Sequence, residues 1–85
     1  MYEIKTKNKK VEKRLRYYID MRRDIIDKLR RLKINPRREC GAHPLHGDLF
    51  GKWACWIGSN IRMVYKLDNI DRIILLERIG THNIY

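Results

Sequence analysis

At 85 residues the chain has material for one domain, spanning 1–85, and too little to close a second core. Apolar residues make up 44% and charged residues 35%, which excludes a disordered tail, and even Ile73-Ile74-Leu75-Leu76 falls far short of a membrane span or a signal-peptide core. The formal charge of +10 makes a polyanion, either nucleic acid or an acidic protein, the expected partner. This charge is uneven: residues 1 to 40 hold fifteen basic and six acidic side chains, and residues 41 to 85 hold five and four. A cytosolic protein is expected, with Cys40 and Cys55 as free thiols.

Met1-Tyr2-Glu3-Ile4 alternates, ends in a Lys/Thr/Asn cluster and reads as an edge strand. From Lys7 onward the period becomes helical: Val11, Leu15 and Tyr18 recur, then Ile25 or Ile26, Leu29 and Leu32, with Lys and Arg on the opposite face. The pattern fits one long helix or a helix pair bent near Tyr17 to Asp20, and the pair is preferred because the stripe is interrupted at Arg22 and Tyr17-Tyr18-Ile19 is a poor helix interior. Asn35-Pro36 stops the second helix, because a residue before proline is pushed out of the helical region.

Residues 37 to 51 carry Pro44 and three glycines, which predicts a loop with little regular structure. Strands are expected at Trp53 to Ile57, Ile61 to Leu67 and Arg72 to Ile79. The linkers Gly58-Ser59-Asn60 and Asp68-Asn69-Ile70-Asp71 are short enough for hairpins. In the middle strand Ile61, Met63, Tyr65 and Leu67 alternate with Arg62, Val64 and Lys66. One set should face the helices and the other should point outward, giving a basic face. The class is α+β: a short N-terminal strand and two N-terminal helices packed on one face of a mostly antiparallel sheet.

A polar and aromatic set collects in the loop, on one strand and at the C-terminus: His43, His46, Trp53, Trp56, Arg62, His82 and Tyr85. Metal-free RNA cleavage needs a base for the 2′-hydroxyl proton, a cation for the pentacovalent phosphate and an acid for the leaving oxygen. Histidine can both give and take a proton near neutrality, arginine clamps phosphate with a planar fork, and aromatic rings stack on single-stranded bases. Lys52, Trp56, Lys66 and His46 are the expected RNA-binding residues. Each has a plainer reading: a histidine on the surface, a tryptophan in a small core, an arginine facing solvent. The spacing of Cys40, His43 and His46 hints at a metal, but a fourth ligand would have to arrive from Cys55 or His82, and neither metal nor cofactor is expected.

The order Ala42-His43-Pro44-Leu45-His46, Gly47, Gly51, Trp53, then Val64-Tyr65-Lys66-Leu67, then Leu76-Glu77-Arg78-Ile79-Gly80-Thr81-His82 resembles the second half of YafQ-like toxins of the RelE/ParE superfamily. The first half is similar to the superfamily in layout. The resemblance implies a toxin of a toxin–antitoxin system, a ribosome-dependent endoribonuclease acting on messenger RNA in the ribosomal A site, restrained by an acidic RelB-like antitoxin, with no membrane partner. His43 falls on the family's His-Pro-Leu histidine and His82 on the histidine of its Gly-Thr-His motif, both active-site positions in that branch. Arg62 matches the strand arginine of the wider RelE group, and Tyr85 resembles the closing aromatic residue. The resemblance thus assigns His82 to acid or base, Arg62 to the transition-state clamp, Tyr85 to stacking or orienting the codon and His43 to the second proton step. The chain departs from the pattern at Ala54, Trp56 and Asn60, where YafQ-like members carry acidic or histidine side chains. A ParE-like alternative, a non-catalytic toxin that blocks a topoisomerase or merely occupies the ribosome, stays open.

Overall fold

The computed structural model describes residues 1–58 and 60–81. The first strand, β1, is Glu3–Thr6, two residues later than the sequence pattern suggests. Helix α1 spans Lys9–Met21 and α2 spans Asp24–Ile34. Asn8 starts α1 because its extended backbone lets the side-chain oxygen accept the Val11 N–H at 3.0 Å.

The helices separate at Arg22 and Arg23, not near Tyr17 to Asp20. Tyr18 and Ile19 pack against the core, and that burial outweighs the few tenths of a kcal/mol that aromatic and β-branched residues cost in a helix. Arg22 occupies the next position of the apolar stripe and cannot be buried there. It turns extended, its N–H caps the Tyr18 carbonyl at 2.9 Å, and its guanidinium meets the Asp24 carboxylate at 2.9 Å. The new axis lets Ile25, Leu29 and Leu32 face inward. Asn35 ends α2, and the buried Pro36 turns its carbonyl to the Tyr65 hydroxyl at 2.7 Å, which pairs a buried phenol.

Residues 37 to 51 hold more regular structure than the sequence pattern predicts. A single 3-10 turn covers Glu39–Gly41, a two-residue strand β2 covers His43–Pro44, and a second 3-10 turn covers Gly47–Leu49. Positive φ at Cys40 (59°) and Gly41 (66°) reverses the chain so that His43 and Pro44 run back along the sheet. Proline is tolerated there because an outermost strand has a free side that needs no donor. Strands β3 (Trp53–Trp56), β4 (Arg62–Asp68) and β5 (Ile73–Gly80) follow.

The sheet order is β1-β5-β4-β3-β2, with β1 parallel to β5 and every other pair antiparallel. Both helices cover one face. Ile25, Leu32, Ile57, Met63, Tyr65, Ile74 and Leu76 are each fully buried between the layers. This is the expected α+β arrangement, and among the described residues it leaves the other face of the sheet without a helix. Among the described residues no helix is long and apolar enough to cross a membrane.

Candidate functional site

Side chains of directly paired residues share a face, so the strand register maps the uncovered side. Tyr65, Met63 and Cys55 belong to the core, which places their alternates Val64, Arg62, Ala54 and Trp56 on the open face. His43 pairs with Ala54, Ala54 with Val64 and Val64 with Arg78, so these four form one row. Trp56 pairs with Arg62 and Arg62 with Gly80, forming the next. Arg62 and Lys66 point to this face as the alternation predicts. Val64 does not form part of a charged surface: it is 0% exposed and, with Ala54 at 1%, makes a small apolar floor between the rows.

One residue escapes the alternation. The register jumps from Val64↔Arg78 to Tyr65↔Leu76, leaving Glu77 without a partner in β4. Such a bulge lets consecutive residues emerge on the same side. The Glu77 carboxylate therefore joins Arg78 on the open face, 2.6 Å from Lys52 Nζ and 3.7 Å from Lys66 Nζ, with 7% of its side chain exposed. Burial pushes the carboxyl up, but the hydrogen bond from Lys52 and the charges of Lys52, Lys66 and Lys7 outweigh it and hold the group below the ordinary carboxylate range. Glu77 stays ionised and pins two lysines that sequence reasoning treats as independent RNA contacts. In the sequence Glu77 shows only as a member of the Leu76-Glu77-Arg78-Ile79-Gly80-Thr81-His82 run, where the pair Glu77-Arg78 interrupts an apolar strand.

At the other end of the face, Arg62 lies 4.1 Å from the centroid of the Trp56 ring, a cation–π contact that fixes the guanidinium. A Cβ built on Gly41 would stand 3.5 Å from the same indole, so the turn leading to His43 passes beside Trp56. Only a residue that accepts φ of +66° suits that turn. His43 is exposed, and its Nδ1 lies 3.0 Å from the Gly41 carbonyl, an acceptor. Nδ1 must carry the proton in that bond, which makes Nε2 of the neutral ring the basic nitrogen. The face thus combines a tautomer-fixed imidazole, a held guanidinium, an aromatic surface and lysines. These groups can withdraw a proton, neutralise a phosphate and stack on a base.

His46 falls outside the sheet register, exposed at the start of the Gly47–Leu49 turn. Trp53 pairs with Tyr65 and packs on the core side, with the Arg37 guanidinium 6.0 Å from its ring centroid. His82 and Tyr85 lie outside the described residues; the described chain reaches Thr81, next after the Gly80 that pairs with Arg62. Both cysteines are free thiols. Burial pushes the Cys55 thiol strongly up, and half-buried Cys40, also raised by burial, gives its Sγ–H to the Lys28 carbonyl at 3.3 Å. Among the described residues no three His, Cys, Asp or Glu side chains converge as metal ligands would.

No protein-family model and no curated protein matches the sequence. Solved structures do match the fold. The YoeB–YefM complex from Staphylococcus aureus aligns with a TM-score of 0.72 at 18% identity, covering 98% of this chain and 99% of that chain. The YoeB/ParE toxin from Agrobacterium tumefaciens aligns with 0.72 at 23% identity, covering 98% and 100%. The E. coli DinJ–YafQ toxin–antitoxin complex aligns with 0.63 at 24% identity, covering 95% and 92%. The chain therefore has the fold of YoeB and YafQ, the α+β fold implied by its resemblance to the RelE/ParE superfamily.

Proposed function

We propose that this chain is the toxin of a toxin–antitoxin pair, a member of the RelE/ParE superfamily, and that it inhibits translation as a metal-independent endoribonuclease cleaving messenger RNA in the ribosomal A site. One observation carries the reading: His43, with its Nδ1 tied to a carbonyl, and Arg62, held against Trp56, stand in adjacent rows of the one sheet face that no helix covers. In the proposed reaction a histidine takes the 2′-hydroxyl proton, the oxygen attacks the adjacent phosphorus, and the 5′-oxygen leaves with a proton from the second acid–base group. His43 and His82 divide the two proton steps. Arg62 neutralises the pentacovalent phosphate, Tyr85 orients the codon, and Trp56, Lys52, Lys66 and His46 hold the strand. Ala54 brings no proton-transfer group to its row, so the ribosome must align the messenger, and free RNA is cut poorly.

The partner is an acidic, RelB-like antitoxin. The matched YoeB–YefM and DinJ–YafQ complexes and the chain's charge of +10 support this, since an acidic chain laid on the basic surface would neutralise it and exclude RNA. The test is mapping of messenger cleavage on programmed ribosomes with wild type, Arg62→Ala, His43→Ala and His82→Ala. Cleavage should be lost in Arg62→Ala and His82→Ala and strongly reduced in His43→Ala. Undiminished cutting by all three variants would reject the assignment. The resting of Arg62 on Trp56 favours a second reading, in which the face only binds and blocks its target; translation arrest with intact messenger would select it.

A further inference from the structure

A cavity of about 500 Å³ opens between α1 and the end of β5, lined by Lys13, Arg14, Tyr17, Tyr18, Gly80 and Thr81. Its chemistry comes from helical spacing: Lys13 and Arg14 lie one turn before Tyr17 and Tyr18, so two cations and two phenols share a wall. The tyrosines form an edge-to-face pair, with ring centroids 5.3 Å apart and planes at 74°, and Tyr17 keeps 61% of its surface exposed. That is a large aromatic area to leave uncovered on a small protein. The opposite wall is the end of β5, with Ile79, Gly80 and Thr81. Gly80 pairs with Arg62, so the cavity lies at the same end of the sheet as the row of Trp56, Arg62 and Gly80, on the helix side.

We propose that this cavity is a second nucleotide subsite for single-stranded RNA, receiving a base on the exposed face of Tyr17 and its phosphate between Lys13 and Arg14, at the same end of the sheet as the nucleotide held at Arg62. The inference rests on the RNA reading of the open face and extends it past the C-terminal end of β5. Exposed aromatic surface next to paired cations suits a strand that offers flat bases and charged phosphates in alternation. An acidic peptide would satisfy Lys13 and Arg14 but has no general use for the flat ring. A second copy of this chain would bring another +10 against the same cations. The volume falls within the range of small-ligand sites.

Fluorescence anisotropy of a labelled short oligouridine with the full chain tests this, using Tyr17→Ala, Tyr17→Phe and the double substitution Lys13→Ser with Arg14→Ser. Tyr17→Ala should weaken binding at least about fivefold, the lower end of what one base stack supplies, while Tyr17→Phe stays within about twofold of wild type. The double substitution should reduce the slope of log affinity against log salt by about 1.4, as expected for two phosphate contacts on a single strand. Far-ultraviolet circular dichroism of each variant checks the fold. RNA binding by wild type with less than a twofold loss in Tyr17→Ala would overturn the subsite and leave the open-face reading standing. Absence of any RNA binding by wild type would overturn the subsite, and messenger cleavage on programmed ribosomes would then decide the open-face reading separately. Equal losses for oligouridine and for a polyglutamate chain would assign the cavity to an acidic protein and overturn the proposal.

Discussion

The two sides of the sheet use charge in opposite ways. On the helix side basic residues are abundant, and two of them pair with neighbours on the same helix, Arg16 with Glu12 at 3.0 Å and Arg30 with Asp27 at 3.7 Å, both pairs largely exposed. Pairs of this kind contribute at most about 0.5 kcal/mol and can reorient at little cost. On the open face the cations are fewer and are fixed by groups from other strands. Glu77 on β5 holds Lys52 beside β3 and Lys66 on β4, and Trp56 on β3 holds Arg62 on β4. Counting charges points to the first half of the chain; geometry points to the second. Quantity of charge brings a polyanion near, whereas charge held in one place can act on a particular phosphate.

The contrast can be broken most severely from the helix side. Leu32 is fully buried, and Leu32→Ala should cost about 2–5 kcal/mol in denaturant unfolding. Arg62→Ala should instead leave stability within about 1 kcal/mol while messenger cleavage on ribosomes falls about 100-fold or more, the scale of losing one transition-state charge. Equal damage to stability and cleavage by Arg62→Ala would erase the distinction between the two sides.

Tyr65→Phe sits between these cases. It removes the partner of the buried Pro36 carbonyl and should cost about 1–3 kcal/mol by thermal unfolding, with little direct effect on the open face. The smallest effect is expected at Glu77. Its folded-state pKa is depressed, so its ionic contribution is present above the unfolded value near about 4.3 and is lost as pH falls through the folded value. Glu77→Gln should therefore be less stable than wild type at neutral pH, with the gap closing in acid. A stability gap that persists unchanged at low pH would mean that Glu77 acts by packing.

The core was readable in the sequence because it follows periods. Val11, Leu15, Tyr18, Leu29 and Leu32 recur at helical spacing, and Met63 and Tyr65 alternate with Arg62, so the helix layer and the covered face emerge directly. The sequence pattern puts the break between the helices too early, because local propensity at Tyr17 to Ile19 competes with the burial of Tyr18 and Ile19, and burial decides. In the segment 37 to 51, glycine and proline content signals a loop, yet the strand His43–Pro44 exists only because β3 offers an edge to pair with. Arg62, Lys66 and His43 were legible as candidates, but Glu77 was not. A bulge is a one-residue change of register between two strands, and no pattern within either strand records it. Tyr17 was legible only as a poor helix interior, since its proximity to Gly80 depends on where α1 crosses the sheet.

The two borders of the sheet have a further consequence. One is β2, two residues long with a proline that offers no N–H, and the other is β1, four residues long and carrying Glu3 and Lys5. Short, charged or proline-capped borders give a foreign backbone little to zip onto, which discourages fibrous self-association. A regulator that gripped this protein through side chains laid across a surface would carry its specificity in the residues it presents and not in a borrowed strand.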